Sequence, residues 1–269
     1  RREYTFDLLT SKKTRWKESK KGRVLLWAEQ GIGDIIMFSS IIQELHKKCE
    51  KLIIQVDERL ISLYTRSFPK DISYFSSKEK IPENLYDSHI PMGSLPMHFR
   101  NERESFNLSS GVYLSADKTL SNKLRKNIQK NNSDFIVGLA WTAGSIKGSA
   151  SRDRSIKLSK IAPILSKDGV KLVNLQYGDT SKECREIKND YGITIHNVSE
   201  IDNFNDLDGL AALIEACDYI VSIDSLTSHL AGALGKNSTI LLPYSANWRW
   251  GDESEDSYWH SSLRLLRQK

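Results

Sequence analysis

The sequence predicts an α/β protein made of two doubly wound, parallel-sheet units in tandem, and three features carry that prediction. An apolar strand at Arg23 to Ala28 passes through a short glycine loop into a helix with Ile35, Phe38, Ile42 and Leu45 on one face. A second near-continuous apolar strand, Asp134 to Trp141, has the composition of a strand covered on both faces and opens a new alternation of strands and helices. Between them a polar stretch rich in lysine and asparagine, Asp117 to Asn132, reads as the interdomain connection.

In chain order, the first unit continues with strands at Lys51 to Val56 and Ile72 to Phe75 around a helix at Glu58 to Ser67, and then a loop-rich region, Ile81 to Leu114, with three prolines. The second continues with a helix at Ser159 to Ser166, a strand at Lys171 to Gln176, and a helix opened by Thr180 and Glu183 at capping-box spacing. A strand at Ile193 to His196, a helix at Asp206 to Ala216, a strand at Tyr219 to Ile223, a helix at Ser225 to Leu234 and a strand at Ser238 to Leu242 follow. The last stretch, Asp256 to Arg267, reads as helical. The expected divisions are a basic linker at 1–22, a first Rossmann-like domain at 23–130, a second at 131–255 and a C-terminal helix at 256–269. Tandem units of this kind place the carboxyl ends of both sheets around a shared cleft, where ligands of such folds bind.

With 269 residues, 39% apolar and 27% charged, the chain can bury a substantial core. Its longest apolar runs fall far short of the roughly 20 residues of a membrane span and no signal peptide precedes them, so a cytoplasmic protein is expected. Cys49, Cys184 and Cys217 have no metal or disulfide spacing. The net charge of +5 resides entirely in residues 1–22, which hold eight Lys/Arg against three acids. A charge confined to one end reads as a solvated stretch and not as a nucleic-acid surface.

Three stretches carry candidate chemistry. In Gly31-Ile32-Gly33-Asp34 the glycines permit a ligand close to the backbone, and Asp34 stands where a helix begins. A carboxylate there suits removal of a proton from an acceptor hydroxyl, and equally suits a helix cap. Ile36 occupies the third glycine position of a dinucleotide fingerprint, which weakens a nicotinamide reading. In Asp224-Ser225-Leu226-Thr227-Ser228-His229 a helix opens directly after a buried strand, so backbone N–H groups and the positive helix end suit a pyrophosphate. Hydroxyls of Ser225 and Thr227 add donors; His229 fits either a ligand contact or a structural role. In the third, Trp141 to Ser155, Lys147, Arg152 and Arg154 are cations suited to a leaving diphosphate or to plain solvation. Trp248, Arg249 and Trp250 place aromatics and a cation in a further loop, for stacking on a ligand or for packing. No HExxH and no His/Cys cluster points to a metal.

Five motifs, AEQGIGDIIMF at Ala28 to Phe38, GLAWTAGS with RDRSIKL within Gly138 to Leu158, VNLQYGD at Val173 to Asp179, DSLTSHLAGALGK at Asp224 to Lys236 and LLPYSANWRWG at Leu241 to Gly251, give a resemblance that spans about residues 23–268. The chain resembles the family-9-like, heptosyltransferase-related bacterial glycosyltransferases, particularly those that follow tetratricopeptide (TPR) repeats. The resemblance implies a GT-B fold, two Rossmann-like domains facing across a cleft, and metal-independent, inverting transfer from a nucleotide-diphosphate sugar, with no cofactor. It implies Asp34 as general base and Ser225, Leu226 and Thr227, in the motif that begins at Asp224, as the diphosphate-binding turn; Gly31, Gly33, Asp224 and His229 are further expected donor-side residues. Trp141, Lys147 and Arg154 join as donor-side residues, and Gln176, at a strand end, meets the nucleotide. It also implies that the chain is part of a longer protein with repeats upstream, and that its partners are a sugar donor and a glycan, lipid-linked or protein acceptor. Ser225 stands where related chains often have Thr, and the loop Ile146 to Ser151 lacks their histidine. A noncatalytic module that binds nucleotide sugars or proteins on the same scaffold is the alternative expectation.

Overall fold

A computed structural model of the chain describes residues 9–19, 21–108, 111–129, 131, 133–143, 154–251 and 254–269. It divides into two compact units, Arg1–Ser115 and Ala116–Lys269.

The first unit holds β1 (Thr14–Arg15), β2 (Arg23–Trp27), α1 (Ile32–Phe38), α2 (Ile42–His46), β3 (Lys51–Val56), α3 (Glu58–Ser67), β4 (Ser73–Ser76), β5 (Ser88–Pro91) and α4 (Pro96–Phe99). Its five strands pair in parallel in the order β1-β5-β2-β3-β4. Val24, Leu25 and Leu26 of β2 are fully buried, as an apolar run between two covered faces requires. The helix α3 starts where the Asp57 carboxylate accepts from Arg59 N at 3.0 Å, and it buries Leu60, Leu63 and Tyr64 at helical spacing.

The second unit holds α5 (Lys118–Ile128), β6 (Phe135–Leu139), α6 (Leu158–Leu165), β7 (Val170–Asn174), α7 (Ser181–Tyr191), β8 (Ile195–His196), α8 (Leu207–Ala216), β9 (Tyr219–Ile223), α9 (Leu226–Ala233), β10 (Ser238–Leu242) and β11 (Leu263–Arg267). The strands are all parallel, in the order β8-β7-β6-β9-β10-β11. Relabelled by position this is 3-2-1-4-5-6, the doubly wound order whose direction reverses between the first and fourth strands. Val137, Leu139, Trp141, Leu158, Leu172 and Val221 share one core cluster.

Four expectations are corrected. The stretch expected to be a linker, residues 1–22, contributes β1, and Trp16 is 2% exposed and stacks on Phe99 at 6.0 Å. Within the region expected to be loop, β5 lies between β1 and β2; its Ser88 and His89 are buried because the backbone and Trp27, whose Nε1 donates to His89 Nδ1 at 3.2 Å, supply partners that composition does not reveal. The expected connection at 117–132 contains α5, capped by Asp117 and packed on α8 within the second unit, where Arg125 donates to Ala216 O at 2.8 Å. The expected C-terminal helix is instead β11: Leu263 and Leu265 are buried while Arg264 and Leu266 are exposed, a period of two that pairs with β10.

Gly138 lies in the middle of β6 where three neighbours converge. A Cβ there overlaps Leu175 and comes within 2.8 Å of Ile220 Cδ1 and 3.1 Å of Cys217 Sγ. Gly138→Ala is expected to lower the unfolding free energy by about 1 to 3 kcal/mol through overpacking. Urea titration of both proteins checks this, and equal midpoints refute it.

Candidate functional site

In the first sheet the strand order reverses between β2 and β5, and the loop that leaves β2 carries the first motif. Ala28 N still donates to Gln55 O at 3.0 Å, after which the chain leaves the ladder. Gly31 is the N-cap of α1, extended at φ −62° and ψ 152°, so the cap is Gly31 and not Asp34. Asp34 is half-buried in the first helical turn, where the helix dipole favours a negative charge. Glu29 ties this loop to the one after β5: its Oε1 accepts from Gly93 N at 3.0 Å and from Gln30 Nε2 at 3.1 Å. A Cβ at Gly93 would stand 2.6 Å from that same oxygen, so a side chain there would have to displace the Glu29 carboxylate from this contact. Gly31 differs, because a Cβ there meets only Asp34 Oδ2, at 3.9 Å. A cavity of about 970 Å³ opens beside the loop, lined by Trp27, Gln30, Ile32, Gln55 and Asp57 among others.

The second sheet reverses between β6 and β9, and the second motif starts at the end of β9. Asp224, the residue after β9, is 3% exposed. Arg154 Nη1 lies 3.4 Å from its Oδ2 and 3.3 Å from its carbonyl oxygen, and Arg249 Nη1 lies 4.0 Å from its Oδ1. The segment bearing Arg154 is anchored to the chain just past β6: Ser155 Oγ accepts from Ala143 N at 3.0 Å and Ile156 N donates to Trp141 O at 3.0 Å. Ser225 caps α9, its N–H donating to Ser228 Oγ at 3.4 Å and its carbonyl accepting from that hydroxyl at 2.6 Å. Leu226 is half-buried and Thr227 buried in the first turn. Arg154 also lines a cavity of about 490 Å³ with Lys157, Lys160 and Arg267, and this cavity has no acidic side chain among its described lining residues.

Arg154, Asp224, Ser225, Leu226 and Thr227 thus come together, and Lys147 lies outside the described residues. Three other expected donor residues have different positions. Trp141 is fully buried in the core, its Nε1 donating to Glu183 Oε2 at 3.2 Å, so the Thr180–Glu183 pair forms no capping box. His229 is buried one turn into α9, stacked on Trp250 at 5.0 Å with its Nδ1 3.2 Å from His260 Nε2. Gly232 serves this packing, because a Cβ there overlaps the His260 ring. Gln176 fixes strand ends: its Oε1 accepts from Trp141 N at 3.0 Å and Thr142 N at 2.9 Å. Gln176 also borders a polar cavity of about 480 Å³ with Asn174, Tyr177, Asn197 and Asn203. Arg249 was expected only as a loop cation; its approach to Asp224 has no signal in the sequence, since 25 residues separate them. The triplet Asp206-Leu207-Asp208 has the DxD spacing of metal-dependent transferases, but the Asp206 carboxylate caps α8 by accepting from Gly209 N at 2.7 Å. Among the described residues no group of three or more His, Cys, Asp or Glu is placed to hold a metal ion, and no helix is long and apolar enough to cross a membrane.

Burial, and secondarily Arg249, pushes the His229 imidazole down to about 3, and burial pushes His260 well below its ordinary value. Both are neutral in the folded protein at pH 7, whereas an unfolded chain protonates them near pH 6.5. The unfolded state therefore binds more protons below that pH, and the stability present above about 6.5 is lost as pH falls toward 3. Unfolding free energies measured between pH 7 and 4 are expected to fall less steeply in His229→Gln than in the parent, by up to about 1.4 kcal/mol per pH unit. Parallel curves refute this.

No family model matches the chain. It is 30% identical over 270 residues to Protein FlbA of Caulobacter vibrioides, a match that covers 94% of this chain and 44% of FlbA, so the chain spans less than half the length of that relative. Among solved structures it is similar to a family 9 glycosyl transferase from Veillonella parvula, with a TM-score of 0.64 at 12% identity over 96% of this chain and 89% of that one. It is similar to the E. coli ADP-heptose LPS heptosyltransferase II, at 0.61 and 15% over 92% and 91%. Its similarity to E. coli heptosyltransferase WaaC, solved with ADP-2-deoxy-2-fluoro heptose, is 0.53 at 12% over 92% and 93%. The chain thus has the fold of these GT-B glycosyltransferases, built from two parallel-sheet α/β units.

Proposed function

We propose that this chain is a family-9-like glycosyltransferase that moves a hexosyl or heptosyl group from a nucleotide-diphosphate sugar to an acceptor hydroxyl, with inversion and without a metal ion, in the cytoplasm. The observation that carries the reading is the cation-flanked turn at the switch point of the second sheet: Arg154 against Asp224 at the opening of α9, beside a cavity whose charged lining is basic. An anion is the ligand such a place favours, since guanidinium and first-turn N–H groups both seek negative charge. The fold shared with family 9 enzymes supports the same assignment.

In this reading the diphosphate lies at Ser225, Leu226 and Thr227 with Arg154 as counter-charge, and Lys147 belongs to the same donor side. The nucleoside occupies the polar cavity around Gln176 and Tyr177, whose lining also holds the carboxylates of Asp179 and Asp202. The acceptor enters the cavity beside Gln30 and Ile32. The open space at Gly31 suits the close approach of a substrate to that loop. Asp34 accepts the proton of the acceptor hydroxyl as its oxygen attacks the anomeric carbon. The bond from that carbon to the diphosphate breaks on the opposite face, and the leaving oxygen's charge goes to the cationic turn.

Two variants test it. Asp34→Asn is expected to reduce transfer by about 10² to 10⁴ while donor affinity stays unchanged, as read by turnover and calorimetry with ADP, UDP and GDP sugars without and with magnesium. Normal turnover in that variant removes Asp34 from the role, and binding without turnover in the parent favours a noncatalytic sugar-nucleotide module. Thr227→Ala is expected to weaken the preferred nucleoside diphosphate about fivefold or more; unchanged affinity argues against the placement of the diphosphate.

A further inference from the structure

Asp224 directly follows β9, and the segments after the strands on either side of β9 send a cation toward its carboxylate. Arg154 arrives from the segment that follows β6, and Arg249 from the turn at Trp248–Trp250 that follows β10. The two guanidiniums face different oxygens, Oδ2 at 3.4 Å and Oδ1 at 4.0 Å. The carboxylate side chain is 4% exposed, the Arg154 side chain 28% and that of Arg249 12%. Two cations on one buried anion leave this point positive, and the positive end of α9 starts at the next residue.

The Arg249 turn is held on both sides. Trp250 is buried and stacks on His229, while its carbonyl accepts from Arg267 Nη2 at 2.7 Å. Trp248, 64% exposed, lies with its ring 5.6 Å from the Arg249 guanidinium carbon. A guanidinium that is 12% exposed, beside the Trp248 ring and 4.0 Å from Asp224, is largely set in place before any ligand arrives, so less side-chain entropy remains to be lost on binding.

We infer that Arg249 is a second diphosphate-binding cation, paired with Arg154 across Asp224, and that the Asp224 carboxylate is a positioning group that holds both guanidiniums toward the opening of α9. The inference rests on the donor-site reading above and deepens it by naming the residue, outside the turn itself, that reads the diphosphate charge.

Calorimetry of the chain with ADP, UDP and GDP, repeated on Arg249→Gln and Arg249→Lys, tests it. For the diphosphate that the parent protein binds, Arg249→Gln is expected to lose about 10- to 100-fold in affinity, the range for a lost charged hydrogen bond. Arg249→Lys, which restores charge but not the planar fork, is expected to fall between the two. Melting temperatures of both variants within a few degrees of the parent are expected, since the turn is anchored by Trp250. Parent-like affinity in both variants overturns the inference and leaves the donor site standing. Equal losses in both variants also overturn it, because the charge is then not what is read. Absence of binding in the parent overturns the donor-site reading together with the inference. If Arg249→Gln does not fold, Arg249→Lys decides alone: a severalfold loss supports the role and unchanged affinity ends it.

Discussion

A parallel strand with helices on both faces has no side on which to display chemistry. Its side chains are buried above and below, as the fully buried Leu25 and Leu26 of β2 and Ile220 of β9 show, and its backbone is engaged by neighbours on both edges. Only the carboxyl ends are open, and among them the switch point is the widest, because the connections to its two strands run to opposite faces. Both units obey this constraint separately. In the first, the switch point lies between β2 and β5, and Asp34 follows β2. In the second, it lies between β6 and β9, and Arg154 and Asp224 follow those strands. The positions at which this chain can meet a ligand were therefore set by strand order before any functional residue was chosen.

Ending a ladder exposes backbone groups that need partners, and polar side chains meet that need. Gln176 accepts two N–H groups from Trp141 and Thr142 just past β6. Asn174 accepts from Gln176 N at 2.9 Å and donates to Thr180 Oγ1 at 2.8 Å. Glu29 does the same for Gly93 across the first switch point. These residues sit at strand ends beside the cavities and have the chemistry of ligand-binding groups, yet their first task is to fix the loops from which others reach out. A nucleoside over β7 would meet a surface held rigid by them.

Much of the architecture was legible in the sequence, because β2, β3, β6, β9 and β10 are apolar runs and α3, α8 and α9 begin at a polar cap. What was illegible has one physical cause. Burial of polar side chains depends on partners from distant parts of the chain, so β5, with Ser88, His89 and Pro91, reads as loop until Trp27 and β1 lie against it. The same cause separates the candidate site residues. Asp224, Ser225 and Arg154 could be read from local pattern, since a turn after a strand and a cation in a loop are local facts. The surroundings of Trp141 and His229 could not be read locally, because an indole bonded to Glu183 and an imidazole stacked on Trp250 and bonded to His260 are satisfied only by tertiary neighbours. Arg249 was hidden for the complementary reason: its distance to Asp224 is a product of strand order.

A carboxylate at 224 is an odd choice beside a proposed anion site. A buried, isolated carboxylate costs several kcal/mol of lost hydration, and only well-placed cations offset that cost. Here the offset comes from cations on two separate loops, so the carboxylate makes the position of each guanidinium depend on the fold of the other's loop. Two guanidiniums without it would repel each other and turn outward to water, where each is worth little to a ligand. With it they face a common point at the opening of α9, and their combined charge exceeds that of the acid that holds them. A ligand with two or more negative charges then completes a cluster that the protein alone leaves positive, whereas a neutral or singly charged one would recover less of the interaction. In the proposed donor site, selectivity for a diphosphate over singly charged anions would follow from that charge arrangement.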